Sequence, residues 1–338
     1  MLARNLLNDF TLTDWTEEVN TIPNLYGTIA NLNIFQDVPL SATTGSFDEV
    51  IYSGGLLVDK IRGERGSKAK GTVRKTHTFT VPHFPFDDYI EPKEIANKRA
   101  FGSANEAEQL AYVRARKLEK IRRTHAALKE YSRAYTISTG AIYAPSGTVD
   151  VNWNTEFGWT RLPVDMLLGS PTTEVIQKIE VGIASLKANA NGEQHTGYVM
   201  LASPELFNKI IFHGSVKVAY SNYASLEEPY RQRLGGPLAT ARMFPIGGAN
   251  IIEVVDTAPD GTRHIPVGKG YLLPTGTNVF KTFYAPVERF GYVNTLAEQS
   301  YVFEFANQNL TSIVLESESN LANALLNPSQ VVEFSSSN

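Results

Sequence analysis

SANEAEQLAYVRARKLEKIRRTHAALKEYSRAY, Ser103 to Tyr135, holds no glycine or proline in 33 consecutive residues. Ser103 followed by Glu106 has the spacing of a capping box. Leu118, Ile121, Leu128, Tyr131 and Tyr135 recur on one helical face. The pattern predicts a helix over 104–135, which at 1.5 Å per residue reaches about 50 Å, near three times the mean helix length. One narrow apolar stripe on so long a helix predicts an elongated subunit. The same segment carries Arg114, Arg116, Lys117, Lys120, Arg122, Arg123, Lys129 and Arg133 against Glu106, Glu108, Glu119 and Glu130. A basic helix can enter a DNA groove, but i,i+4 partners such as Glu119 and Arg123 also describe a solvated, ion-paired face.

Upstream, two β-like runs flank a polar, glycine-bearing segment. Phe47 to Ile61 and Thr72 to Val81 alternate apolar and polar residues, which predicts a long hairpin. An isolated two-stranded hairpin is marginal in water, so it must rest on something else. Its tip, Asp59 to Lys75, carries Lys60, Arg62, Arg65, Lys68, Lys70, Arg74 and Lys75 against Asp59 and Glu64, a local charge of +5. The aromatic residues that accompany single-strand binding are missing there. The remainder of the chain is acidic: the first 56 residues carry −6 and the last 55 carry −5, within a total of −4. The candidate counterparts of the tip are therefore Asp14, Glu17, Glu18, Asp37, Glu316 and Glu318 on other copies of the same chain.

The 338 residues are 42% hydrophobic and 20% charged, with no cysteine. A sizeable core is available, while disulfides, thiolate zinc sites and cysteine nucleophiles are excluded. The start lacks an apolar export signal and no run of about eighteen apolar residues occurs, so a soluble, unexported protein is expected. Residues 1–45 read as an extended arm with short structured pieces. Further on, GAIYAPSGTVDVNWNTEFG reads as a hairpin, Thr172 to Ala190 as a helix with Val175, Ile179, Ile183 and Leu186 on one side, and YVMLAS as a buried strand. PELFNKIIFH is a helix opened by Pro204, and ANIIEVVDTAPDGTRHIPV a hairpin turning at Asp260-Gly261. GYLLP, VFKTFYAPV and SYVFEFANQNLTSIVLES supply more β structure. The class is α+β.

Motifs for chemistry are absent. No phosphate-cradling loop, nucleophile elbow or H-E-x-x-H is present. His77 and His83 have no third ligand in view, and Asp87-Asp88 reads as a helix-entry turn or a solvated pair rather than acid/base machinery. A hydrolase using Asp87 or Glu227 and a non-specific nucleic-acid-binding protein using the hairpin and helix are the alternatives. No cofactor or metal is expected, and nothing argues for an enzyme.

VPHFPFDDYI with NKRAFGS, the basic helix and GAIYAPSGTVDVNWNTEFG, then FPIGGANIIEV, GKGYLLPTGTNVFKTFYAPVERFGYVNTL and ESESNLANALLNPSQVVEF stand in an order that resembles the lambda-type major head protein family (protein E) of tailed bacteriophages. The likeness runs from about Tyr26 to Phe334; the arm before Tyr26 and the stretch Tyr220 to Arg242 have no match. It implies the Hong Kong 97-like capsid fold: residues 1–44 as an N-terminal arm, 45–81 as an extended loop, 82–191 plus 300–338 as a peripheral domain with the spine helix, and 192–299 as an axial domain. It further implies hexamers and pentamers of this chain closing an icosahedral shell around double-stranded DNA without reading its sequence. Scaffold, portal and decoration proteins would be partners. The virion would be the location, reached by assembly in the bacterial cytoplasm, with no membrane involved.

Overall fold

The computed structural model describes residues 13–21, 27–51, 73–96, 109–221, 241–307, 309 and 311–337. The spine helix, Leu110–Thr139, has 30 residues; the first expected residues, 104–108, lie outside the described ones. It runs four residues past the expected end, because Thr136 and Ile137 are fully buried and only Gly140, at φ 78°, turns the chain away. The expected stripe is correct in its first half. Leu118 and Ile121 are buried, whereas Tyr131 and Tyr135 form a half-buried aromatic group with Tyr143, at ring distances of 5.1 and 5.3 Å.

Three sheets meet this helix or its neighbours. An antiparallel four-stranded sheet runs Thr13–Asp14, Tyr301–Ala306, Ile313–Glu318, Pro85–Ile90. The first half of the helix closes it with Val113, Leu118 and Ile121 against Val19, Ile90, Val302 and Leu315. A three-stranded sheet places Phe280–Tyr284 between Leu321–Leu325 and the parallel strand Gln36–Pro39. The second half of the helix joins this sheet's core through Ala134 and Ile137, beside Phe280, Phe283 and Ala324.

A mixed six-stranded sheet runs Val164–Asp165, Val332–Ser335, Lys269–Thr275, Gly197–Ala202, Ala249–Glu253, Met243–Ile246. The helices Val175–Ala188 and Pro204–Ile211 cover it, and Val175, Ile179, Ile183 and Leu186 are buried as the 3.6-residue period predicts. Gly182 sits where a Cβ would come within 2.5 Å of the Phe334 ring, so the helix approaches the sheet closer than any other residue permits. Ser203 caps the second helix by accepting from the Leu206 N–H.

Two sequence expectations are corrected. GAIYAPSGTVDVNWNTEFG makes only a single bridge, Ala141 to Asn152. Asn152 caps a one-turn helix, Trp153–Glu156, which drives the Trp153 indole into the core instead of continuing a strand. The strand Ala249–Glu253 takes its hairpin partner from upstream, because Gly247 and Gly248 at φ 57° and 79° form the turn that suits twisted strands. Asp260-Gly261 closes only the bridge Thr257 to Arg263. Helix Val175–Ala188 packs on the six-stranded sheet, to which Val332–Ser335 also belongs.

Candidate functional site

The hairpin pairs Thr44–Ile51 with Val73–Thr80 in continuous antiparallel register, Thr44 opposite Thr80 and Ile51 opposite Val73. Alternation puts Phe47, His77 and Phe79 on one face. That face packs on Trp153 and Phe157: Phe47 and Phe79 lie 5.6 and 5.5 Å from the Trp153 ring, and His77 stacks on Phe157 at 4.6 Å. Gly45 lies under the Phe79 ring, where a Cβ would meet it at 2.4 Å. The foot of the hairpin is thus clamped by aromatic packing, which supplies the support an isolated hairpin lacks.

Of the seven expected basic residues, Lys60, Arg62, Arg65, Lys68 and Lys70 lie outside the described residues. Arg74 and Lys75 are held within the chain. Arg74 pairs with Asp48, which also accepts from Thr76 at 2.6 Å, and Lys75 donates to the Glu156 carbonyl at 2.9 Å. The Arg74 bond holds the Asp48 carboxyl below its usual range. His77 and His83 do not share a centre. His77 is buried beside Glu49 at 3.2 Å, while His83 faces Glu318 at 2.9 Å.

Four of the six candidate acids also have partners in their own chain. Asp37 accepts from Arg133 at 2.6 Å and Lys129 at 2.9 Å. Asp14 accepts from the Thr16 N–H at 2.9 Å and from the Tyr292 hydroxyl; burial raises its pKa, yet these bonds bring it below the usual range. Glu316 meets Arg289 and Glu318 meets His83. Glu17 and Glu18, in the first turn of helix Thr16–Thr21, are exposed and have no ion pair among the described residues.

At the foot of the hairpin the four-stranded sheet opens a groove of about 680 Å³ lined by His83, Asp87, Glu288, Arg289, Glu316 and Glu318. Four carboxylates face two basic groups there. The candidate acids read from the sequence do not include Asp87 and Glu288, both exposed. Asp87 could have been found by strand parity: it stands on Pro85–Ile90 rather than on a helix-entry turn, with Asp88 pointing to the opposite face. Beside the groove, Phe290 is fully exposed and Val293 and Leu296 more than half exposed, an apolar rim the sequence did not announce.

The spine helix spends its cations on its own subunit. Arg114 makes a two-pronged bond to Glu304 at 2.6 and 2.7 Å with Trp15 against its guanidinium. Lys117 and Lys120 share Asp88 at 3.0 and 2.8 Å. Burial raises the Asp88 pKa, and the two lysines more than reverse this, so the acid stays ionised and structural. A helix so engaged does not present a continuous cationic stripe to a nucleic-acid groove.

A family model described as phage major capsid protein E matches residues 11–335. The chain is 39% identical over 347 residues to a major capsid protein of Pseudomonas phage KPP10, covering 97% of each. It is 27% identical to one of Salmonella phage Felix O1, covering 98% of each. A crystal structure titled as the putative capsid protein of a prophage of E. coli CFT073 superposes with a TM-score of 0.59 at 13% identity, over 97% of this chain and 100% of that one.

Proposed function

The chain belongs to the phage major capsid protein E family, a structural family rather than an enzymatic one, and from that premise we propose how it builds a shell. Its fold is the α+β, Hong Kong 97-like capsid fold. The nucleic-acid-binding alternative finds no support.

In our reading, residues 1–44 form the arm and 45–81 the extended loop. The four-stranded sheet with the spine helix forms the peripheral body, and the six-stranded sheet, with residues 164–190 and 332–337, the axial body. Subunits gather into hexamers and pentamers that close an icosahedral shell around double-stranded DNA. Assembly takes place in the bacterial cytoplasm with scaffold and portal proteins, and decoration proteins join the finished shell.

One observation carries the assembly reading. Between the two hairpin strands the sequence carries Lys60, Arg62, Arg65, Lys68 and Lys70, and at the hairpin's foot lies an acidic groove containing Asp87 and Glu288. Two complementary surfaces at different places on one chain are what a heterologous, shell-closing contact requires. The tip, at Lys60, Arg62, Arg65, Lys68 and Lys70, would lie along the groove of the next copy, and Glu17 and Glu18 would add a second acidic face. Charge at such a contact sets register and encounter more than affinity, while each subunit is held by several contacts at once.

The test is electron microscopy of particles carrying Lys68→Glu with Lys70→Glu, Asp87→Lys with Glu288→Lys, or all four changes. Either pair alone is expected to reduce closed particles, and the combination to restore them. Full particle yield from both single pairs would refute the contact. Among the described residues no helix is long and apolar enough to cross a membrane.

A further inference from the structure

Three chemistry-bearing side chains from distant parts of the chain meet beneath the one-turn helix Thr28–Asn31. They are Glu130 of the spine helix, and Asp256 and His264 of the bridge-closed loop. One ligating atom from each lies within 4.8 Å of the others. Part of this is a helix cap. Glu130 accepts from the Ile29 and Ala30 N–H groups at 2.6 and 3.0 Å, and Asp256 accepts through Oδ2 from the Thr28 N–H and hydroxyl at 3.2 and 2.6 Å. Gly27 admits the Glu130 carboxylate, which a Cβ would meet at 2.3 Å.

The cap leaves a remainder. His264 is 6% exposed, yet its Nδ1 has no hydrogen-bond partner, a costly state for a buried polar atom. Its place is held by the backbone, since the His264 N–H donates to the Asp256 carbonyl at 3.1 Å. Asp256 Oδ1 accepts no hydrogen bond among the described residues, and neither carboxylate forms an ion pair with Lys or Arg among them. Arg133, whose charge also acts on Glu130, makes its ion pair with Asp37 at 2.6 Å. Two carboxylates and an imidazole whose Nδ1 has no hydrogen-bond partner therefore converge with no direct Lys or Arg ion pair among the described residues.

We infer that Glu130, Asp256 and His264 form a site for a divalent cation of the zinc class. An imidazole with two carboxylates is a donor set for zinc or cobalt rather than calcium or magnesium, which take all-oxygen shells. Three protein ligands leave a fourth position for water. A cation here ties the cap of the Thr28–Asn31 segment to the spine helix and to the loop between Ala249–Glu253 and Lys269–Thr275, beside the core contacts of Ile29 and Ile265.

The full-length protein, stripped with EDTA and titrated with Co²⁺, tests this. One Co²⁺ per chain is expected, with the visible absorption of a low-coordinate site and displacement by Zn²⁺. His264→Ala and Asp256→Asn should each weaken Co²⁺ binding by about 100-fold or more, at least the loss known for outer-shell partners. His195→Ala serves as the control and should bind as the wild type does. Both site variants retain Glu130 and its bonds to Ile29 and Ala30. X-ray absorption of the Zn²⁺-loaded wild type, which needs no variant, should show one imidazole and carboxylate oxygens. Sub-stoichiometric Co²⁺ binding, unchanged affinity in His264→Ala, or an all-oxygen shell would each overturn the site.

Discussion

The indole N–H of Trp153 donates to the carbonyl of Asn323 at 2.9 Å, tying the residue that clamps the hairpin's foot directly to the three-stranded sheet. Trp153 is 1% exposed and touches Phe47 and Phe79. Trp153→Ala is expected to cost about 3–5 kcal/mol, with Trp153→Phe in between. Besides a lower denaturation midpoint, the alanine variant should show faster proteolysis within Thr44–Ile51 and Val73–Thr80, because the Trp153 contacts hold the foot of the hairpin. Equal proteolysis in both variants would contradict the clamp.

Asp37 joins the arm-side strand to the spine helix through Arg133 and Lys129, with the Tyr284 hydroxyl donating at 3.3 Å. Arg133 is 4% exposed, so removing Asp37 strands a buried guanidinium. Asp37→Ala should cost about 3–5 kcal/mol, whereas Lys129→Met, which removes a cation and keeps the packing, should be close to neutral. Thermal unfolding of both variants reads the difference in sign and size.

His125 is 3% exposed between the spine helix and the four-stranded sheet, with Arg122 on its own helix and Ser317 Oγ at 3.4 Å. Burial, then the Arg122 charge, push its pKa down to about 4. The unfolded chain, titrating near 6.5, binds more protons between those values, so His125 makes stability fall as pH drops from about 6.5 to about 4, by on the order of 3 kcal/mol in all. His125→Leu should flatten the stability profile across that window and leave it unchanged above pH 7. A profile parallel to the wild type would refute this.

Gly182→Ala separates propensity from packing. In an exposed helix interior the change gains up to about 1 kcal/mol. Here the added Cβ meets Phe334 at 2.5 Å and Leu272 at 3.2 Å, so a net loss of about 1–3 kcal/mol is expected. A raised melting temperature would show that Phe334 can yield.

Local pattern made much of this protein legible. The spine helix, the buried face of Val175–Ala188, the capped start at Pro204, the paired strands Thr44–Ile51 and Val73–Thr80 and the strands Gly197–Ala202 and Lys269–Thr275 all follow from periodicity and capping chemistry within a few residues. The charge division along the chain was equally plain. Of the candidate site, the run of basic residues stands in the sequence itself, whereas the partners that Asp37 and Glu316 have in their own chain, Arg133 and Arg289, could not be read from it.

The amino-acid order by itself determined the elements and their faces, because helix and strand periods act over neighbours in the chain. Partner choice was decided by tertiary structure. Asp37 meets Arg133, Asp88 meets Lys117, and Glu130 meets Asp256 and His264 across separations of 29 to 134 residues. The strand Ala249–Glu253 likewise took its turn partner from upstream. Charge and β-propensity say that such groups need partners. Only the packing of sheets on the spine helix brings one candidate within hydrogen-bonding reach and carries the rest away.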